Sequence, residues 1–154
     1  MSLYFPLFVD LSEKNILFVG AGEVAARRVK AILDFAGRVT VIAPEVHPDI
    51  ESLAFDESVV LHRRLFTEDD LDDADIVMVN TGHAGTDIRI AGMCRRRGIM
   101  VNAASDESLC DFYFPGIARR DPLVVGITAS GEDHRMAAEA TAYFKSLIEK
   151  QNGS

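Results

Sequence analysis

The chain has 154 residues, enough for one compact domain with a small appendage. Hydrophobic residues make up 48% of it and charged residues 26%, which is typical of a folded globular protein and argues against disorder. The formal net charge of −8 argues against a basic face for nucleic acid, because a phosphate backbone needs clustered lysines and arginines. We therefore expect no nucleic-acid partner, while a small anionic ligand needs only a local cationic pocket.

The two cysteines and the N-terminal residues give expectations about compartment. Cys94 and Cys110 have neither the paired spacing of a zinc site nor that of a disulfide framework, so we expect reduced thiols, no bound metal and a cytoplasmic protein. The first residues, MSLYFPLFVDLSEKN, lack a charged leader, and acids and Pro6 interrupt the apolar run. They predict an ordered arm leading into the fold, and neither a signal peptide nor a membrane span.

The next stretch, ILFVGAGEVAARRVKAILDFAGRVTVIAP, contains the clearest local pattern. Residues 15–19 form a short apolar run that predicts a buried strand, and Gly20 and Gly22 follow it. From Glu23 onward apolar residues recur at helical spacing, and Gly37 is placed to end that helix. Residues 39–42 predict a second buried strand, which closes a βαβ unit.

Strands and helices continue to alternate as far as residue 103. The predicted elements are a short helix in HPDIESLA, a strand in VVLHRR, a weakly helical polar segment in FTEDDLDDA, a strand in IVMVN, a helix in GTDIRIAGMCRRRG and a strand in IMVNA. Because each strand is almost continuously apolar, we predict a parallel sheet covered by helices on both faces.

The pattern changes after Asn102. DFYFPGIARRDPLVVGITA has two β-rich runs around an ARRDP turn, which predicts an antiparallel hairpin, and EDHRMAAEATAYFKSLIEKQ predicts an amphipathic helix. The predicted fold class is therefore α/β, a Rossmann-like doubly wound parallel sheet followed by a small hairpin plus helix. We expect a nucleotide-binding domain over residues 1–110 and a short dimerisation or substrate region over 111–154.

Gly20, Gly22 and Ala26 match GxGxxG/A at the turn between a predicted strand and a predicted helix. Gly20 would make the tight turn, Gly22 would let the backbone approach a pyrophosphate, and Ala26 would allow close packing of helix against strand. Free N–H groups at the helix start would face the phosphates. The alternative, a purely structural βα turn, stays open from this motif alone.

The end of the second predicted strand bears on which dinucleotide binds. VTVIAPE has Ala43 where an acid would usually bind the adenosine ribose, and Glu45 follows two residues later. Either Glu45 reaches the 2′-hydroxyl, or Pro44 and the backbone contact the ribose. We expect NAD rather than NADP, because no arginine at this strand end would pair with a 2′-phosphate.

Several stretches together resemble the precorrin-2 dehydrogenase/sirohydrochlorin ferrochelatase family, the dehydrogenase module of siroheme synthases. The resemblance runs from Tyr4 to Gly131 and is carried by the N-terminal stretch through VTVIAP, by IVMVN, by VNAASDESLCDFYFP and by PLVVGITASG. It implies NAD-dependent oxidation of precorrin-2 to sirohydrochlorin, in some members with insertion of ferrous iron, on a homodimer. By position, it implies cofactor contacts at Gly20, Gly22, Glu23, Val24, Pro44, Glu45, Thr81 and Gly82.

The chain departs from this family after the fifth predicted strand. By register, the family's key acid falls on Ser105, and Asp106 is the next residue. Asp106 could act as general base, Ser105 could bind substrate as a hydroxyl, or both could simply cap a turn. Near the C-terminus, SGEDHRMAA replaces the family's small, serine- and proline-containing stretch, and we expect no counterpart of the longer helical region that follows there in the family.

A tetrapyrrole with many carboxylates calls for cationic contacts, which arginine makes as bidentate pairs. The resemblance would place substrate near Asn102 and the post-strand residues Arg119, Arg120, His134 and Arg135, although such charges are also common on solvated surfaces.

Two classes of function follow from these observations. The leading hypothesis is a cytoplasmic, dimeric, NAD-dependent precorrin-2 dehydrogenase, with or without chelatase activity. The alternative is a non-catalytic NAD- or tetrapyrrole-binding module that kept the scaffold and acts as a sensor or as a partner of another enzyme. A chelatase without dehydrogenase activity is a third possibility.

Overall fold

Residues 3–150 are described by the computed structural model, which divides into two units, one of residues 9–112 and one that joins residues 3–8 to 113–150. The larger unit alternates strands and helices: β1 (Asn15–Val19), α1 (Glu23–Ile32), β2 (Arg38–Ile42), α2 (Pro48–Phe55), β3 (Val60–His62), a 3-10 helix (Glu68–Leu71), β4 (Ile76–Val79), α3 (Ala84–Arg97), β5 (Met100–Ala103) and a second 3-10 helix (Glu107–Leu109). The smaller unit has β6 (Gly116–Arg120), β7 (Leu123–Ile127) and α4 (His134–Lys150).

The five strands of the larger unit form one parallel sheet in the order β3-β2-β1-β4-β5. β1 lies at the centre and pairs with β2 on one side and with β4 on the other. The predicted α/β class, with its doubly wound parallel sheet, is confirmed. The strand predicted in VVLHRR is shorter than expected, because β3 ends at His62 and leaves the exposed, charged Arg63 and Arg64 outside the sheet.

The core of this unit joins the strands to one face of α3. Ile90, Ala91 and Cys94 of α3 are fully buried and belong to the same cluster as Leu17 and Val77 of the sheet. Burial raises the pKa of the Cys94 thiol to about 11. Cys94 is therefore a core side chain that stays protonated at neutral pH.

Gly37 and Gly98 were both predicted to end helices, and the structure gives them different roles. Gly98 follows α3 in the left-handed conformation, with φ of 68°, as predicted. α1 ends at Ile32, five residues before Gly37, so the prediction that Gly37 stops the helix is wrong. A Cβ at Gly37 would lie 2.3 Å from the Ser12 carbonyl oxygen, and its N–H donates to the Leu11 carbonyl at 2.8 Å. Gly37 is needed for close approach of two backbones rather than for a helix end.

The smaller unit contains the predicted hairpin and the last helix. β6 and β7 pair antiparallel, with Arg120 opposite Leu123, which confirms the turn in ARRDP. The start of β6 packs closely on α4, since a Cβ on Gly116 would lie 2.1 Å from Thr141 Oγ1. Tyr4 of the N-terminal arm contacts Tyr113 edge-on, with ring centroids 4.4 Å apart. The arm therefore groups with this unit, and the boundary predicted near residue 110 stays a prediction.

Helices in the described part of the chain are all too short or too polar to cross a membrane.

Candidate functional site

Three loops meet at the carboxyl edge of the parallel sheet, following β1, β4 and β5. Gly20 N–H donates to the Ile42 carbonyl, Asn80 N–H to the Val19 carbonyl and Ala104 N–H to the Val79 carbonyl, each at 2.9 to 3.0 Å. Each loop is thus tied to the end of a neighbouring strand. In doubly wound folds ligands bind at this edge, where the strand order reverses next to β1.

The loop after β1 contains the two glycines of the motif, and they differ in their surroundings. Gly20 has a φ of 101°, and a Cβ there would lie 2.0 Å from the Asn80 carbonyl oxygen. Gly22 has a φ of −83°, is the N-cap of α1 and has no atom within 4 Å of a Cβ built on it. Gly20 is therefore fixed by backbone contact, whereas Gly22 keeps the space before the helix open.

This loop fits the pyrophosphate of a dinucleotide. The N–H groups of Glu23 and Val24 in the first turn of α1 have no acceptor within the helix, and Gly22 places no side chain over them. The helix dipole adds partial positive charge at the same place. Ala26, buried at 2% exposure, lets α1 pack closely on the sheet, as the motif predicts.

The segment after β2 reaches over the same loop, because His47 N–H donates to the Ala21 carbonyl at 2.8 Å. Pro44 and Glu45 lie in this segment and are exposed. The strand β3 lies beside β2 and ends next to two arginines, Arg63 and Arg64. Arg63 is paired with Glu51 at 2.8 Å and Arg64 with Asp70 at 2.6 Å.

The loop after β4 is held by a buried acid that the sequence analysis missed. Asp87 of α3 is 1% exposed and accepts hydrogen bonds from Thr81 N–H at 3.1 Å and from Thr81 Oγ1 at 2.5 Å. Its position gave a signal, because Asp87 has the helical spacing of the buried residues Ile90, Ala91 and Cys94. A lone acid on an apolar helix face indicates a side chain with partners inside the fold.

The loop after β5 contains both residues that the sequence analysis considered as the acid. Ser105 is exposed, and its hydroxyl donates to Asp87 Oδ2 at 2.9 Å. Asp106 caps the second 3-10 helix, since its Oδ1 accepts from Ser108 N–H at 2.9 Å and from Ser108 Oγ at 2.7 Å. These bonds from Ser108 lower the pKa of Asp106. The structure joins Ser105, Asp87 and Thr81 in one network, in which Asp106 takes no part.

Asn102, predicted to contact substrate, is buried beneath this edge. Its Oδ1 accepts from Arg28 at 2.7 Å, and its Nδ2 donates to the Phe112 carbonyl at 2.7 Å. Burial lowers the pKa of Arg28, which lines a small pocket beside the glycine loop together with Gly20 and Val24. Asn102 therefore links α1 to the residues that follow β5, and a direct substrate contact stays a prediction.

The other predicted substrate residues lie in the smaller unit. Arg119 pairs with Asp121 at 2.9 Å, Arg120 donates to the Ile148 carbonyl at 3.4 Å, and Arg135 pairs with Glu139 at 2.7 Å. His134 is the first residue of α4. Their role toward a ligand stays a prediction.

A doubly wound sheet with a glycine turn at its first crossover and an open helix start defines a Rossmann-type dinucleotide-binding protein. The chain belongs to the NAD_binding_7 family, described as "Putative NAD(P)-binding", whose model matches residues 7–116. The family supports a nicotinamide dinucleotide without deciding between NAD and NADP.

Individual relatives confirm the resemblance seen in the sequence. A siroheme synthase of Pseudoalteromonas atlantica is 38% identical over 128 residues, which cover 83% of this chain and 28% of that protein. A siroheme synthase of Psychrobacter sp. is 32% identical over 149 residues, 97% of this chain and 31% of that protein. Among solved structures, one titled "SirC, precorrin-2 dehydrogenase" has a TM-score of 0.72 at 24% identity, covering 94% of this chain and 71% of that one.

The chain therefore spans less than a third of the length of these siroheme synthases. The likeness to the SirC structure is one of fold.

Proposed function

We propose that this protein is an NAD-dependent dehydrogenase that oxidises precorrin-2 to sirohydrochlorin. The observation that carries the proposal is that the siroheme synthase likeness spans all three loops at the carboxyl edge of the sheet. The glycine loop supplies a dinucleotide site at that edge, and the loop after β5 presents hydroxyl and carboxylate groups to a second ligand.

The proposed cofactor contacts divide by the part of the dinucleotide they would bind. Gly20, Gly22, Glu23 and Val24 would hold the pyrophosphate through backbone N–H groups. Pro44 and Glu45 would contact the adenosine ribose, and we favour NAD because Arg63 and Arg64 at the neighbouring strand end are already paired with acids. Thr81 and Gly82 would flank the nicotinamide, which accepts a hydride when the cofactor is bound.

The residues of this chain would orient the tetrapyrrole and take up the proton that the oxidation releases. Ser105 and Asp106 are the proposed contacts in the loop after β5. Arg119, Arg120, His134 and Arg135 supply cationic groups that suit the substrate carboxylates, each arginine at the cost of exchanging its present partner. The homodimer and any chelatase activity are proposed on the sequence resemblance alone, and the cytoplasmic location on the unpaired spacing of the two cysteines.

One observation favours the non-catalytic alternative: Ser105 stands at the position of the family acid, and Asp106 is engaged as a helix cap. A binding module of this kind would keep the dinucleotide site and lack turnover.

The test is NADH absorbance after mixing the purified protein with NAD and freshly prepared precorrin-2, with Ser105→Ala and Asp106→Ala in parallel. Turnover by the wild-type protein, reduced in at least one variant, is the expected result. Gly22→Asp is the control for the cofactor site, because a carboxylate there would repel the pyrophosphate. No NADH from a protein that binds NAD in a separate titration would overturn the proposal in favour of the binding module.

A further inference from the structure

Asp87 is a buried carboxylate at the cofactor edge whose charge is not neutralised by a cation. Its oxygens accept three hydrogen bonds, two from Thr81 and one from Ser105. Within residues 3–150 no lysine or arginine forms an ion pair with it. Buried polar groups need hydrogen-bond partners, and these three neutral donors are the partners that Asp87 has.

Ser105 connects this buried group to the surface. Asp87 is 1% exposed, whereas Ser105 is exposed in the turn that directly follows β5. The Ser105 hydroxyl donates its proton to Asp87 Oδ2, with the two oxygens 2.9 Å apart. Because a hydroxyl has one proton and two lone pairs, any further partner of this oxygen must donate to it. Ser105 is thereby set as an acceptor toward a ligand at the sheet edge.

We propose that Asp87 is the positioning residue that lets Ser105 accept the proton released in the oxidation, an inference that rests on the proposed function. The oxidation removes a hydride and a proton from the substrate. As the substrate proton binds Ser105 Oγ, the Ser105 hydroxyl proton moves to Asp87 Oδ2, which becomes neutral. The proton returns by the same two atoms to solvent once product leaves, so neither residue changes in the net reaction.

This pair suits proton uptake better than Asp106 does. Asp106 Oδ1 is committed to two hydrogen bonds from Ser108, and these bonds lower the pKa of Asp106 and so weaken it as a base. Ser105 by itself would be a poor base, but next to a carboxylate a hydroxyl can give up its own proton as it gains another. Asp87, which is hydrogen-bonded to Ser105, thus supplies the carboxylate that is missing at position 105.

The test moves the carboxylate from position 87 to position 105. Asp87→Asn keeps an oxygen for the Thr81 donors but removes the proton acceptor, so we expect kcat to fall about 100-fold with KM for substrate little changed. Ser105→Ala should give a similar loss, and Asp87→Asn combined with Ser105→Ala should lose no more than either alone. Asp87→Asn with Ser105→Asp restores a carboxylate next to an amide, so at least a tenfold recovery of kcat over Asp87→Asn is expected.

Two measurements without turnover separate this role from a structural one. NAD affinity by titration and the thermal midpoint should be similar for Asp87→Asn and for the exchanged double variant. Asp69→Asn, at an exposed acid in the first 3-10 helix, is the matched control for a surface charge change.

The outcomes distinguish the two proposals. Absence of turnover in the wild-type protein would overturn the proposed function and this inference with it. Wild-type turnover that Asp87→Asn leaves unchanged would overturn the inference alone. So would a loss in Asp87→Asn that the exchanged variant does not recover, because Asp87 would then act only in holding the loops.

Discussion

Gly20 and Gly22 are two residues apart in one loop, yet replacing each should have a different effect. Gly20→Ala places a Cβ 2.0 Å from the Asn80 carbonyl oxygen on a backbone with positive φ. We expect a loss of at least about 2 kcal/mol in the free energy of unfolding, because neither backbone can move freely. Thermal and urea denaturation measure it, and a stable Gly20→Ala would contradict the described contact between the β1 and β4 loops.

Gly22→Ala is the matched control for that variant. Its Cβ meets no atom within 4 Å, so stability should change by less than about 0.5 kcal/mol. The added methyl would stand where the pyrophosphate approaches the helix start, and NAD affinity should fall about tenfold or more. Unchanged NAD affinity in a titration of this variant would show that the phosphates bind elsewhere.

Single residues could be predicted where the local backbone or packing allows only one kind of side chain. Gly20, Gly22 and Ala26 could be assigned from spacing, because a turn, a phosphate approach and helix packing each need a small residue. Asp87 was missed although its helical spacing marks it as buried. Its partners Thr81 and Ser105 lie six and eighteen residues away, and only the folded sheet brings those loops together.

At the scale of elements, the carboxylate of Asp70 stabilises the start of the first 3-10 helix. Asp70 accepts from Thr67 N–H at 2.8 Å, and Arg64 beside it lowers the pKa of its carboxyl, with Thr67 contributing. Because the pKa of Asp70 is lower in the folded protein than its ordinary value of 3.8, the ionised carboxyl stabilises the fold at pH values above 3.8. This contribution is lost as the pH falls through the lowered pKa.

Asp70→Asn should therefore destabilise the protein at neutral pH by up to about 1 kcal/mol, because the amide loses the ion pair with the partly exposed Arg64. The difference between variant and wild type should shrink as the pH is taken well below 3.8, because the wild-type carboxyl is then protonated as well. Urea denaturation at several pH values measures this. A difference that stays constant across that range would assign the effect to geometry rather than to charge.

The contact between β6 and α4 offers a second prediction at this scale. Gly116→Ala would bring a Cβ to 2.1 Å from Thr141 Oγ1 and to 3.2 Å from Thr141 Cβ. We expect a loss of about 1–3 kcal/mol from this overpacking. Thr141→Ala removes the nearer atom, so the double variant should recover part of that loss in thermal denaturation. Independent, additive effects would contradict direct contact.

Most elements followed from the pattern of apolar residues, but some of their ends did not. The buried strands are nearly continuous apolar runs, and α3 ends at a glycine that supplies the required φ. α1 was predicted to continue to Gly37, because its apolar period continues past Ile32. The contact that fixes Gly37 involves Leu11 and Ser12, which precede β1 in the chain. Such a contact between distant segments leaves no periodic trace in the sequence.

At the scale of the whole molecule, binding of the dinucleotide should stabilise the fold. A ligand that binds only the folded state, present at 100 times its Kd, adds about 2.7 kcal/mol to the free energy of unfolding.

We predict that NAD raises the thermal midpoint at lower concentration than NADP does, because exposed Glu45 suits a ribose hydroxyl and repels a 2′-phosphate. Glu45→Gln should narrow the difference between the two dinucleotides, and a wild-type preference for NADP would contradict the assignment of NAD.

The fold class and the cofactor edge could be predicted because a doubly wound sheet places ligands at one edge regardless of sequence details. The paired state of Arg63 and Arg64 could not, since it depends on β3 lying next to β2 with acids in reach. The hydrogen bond between Ser105 and Asp87 could not be predicted either, because only the folded sheet brings these residues together. Asp106 looked like the acid in sequence, and the fold instead connects Ser105 to Asp87.

The most direct test of NAD-dependent oxidation of precorrin-2 is to follow NADH and sirohydrochlorin together after the wild-type protein is mixed with NAD and precorrin-2 in the absence of air. We expect the two products to appear in equimolar amounts, and both to be lost when NAD is omitted. Sirohydrochlorin formed without NADH, or neither product from a protein that binds NAD, would contradict this expectation.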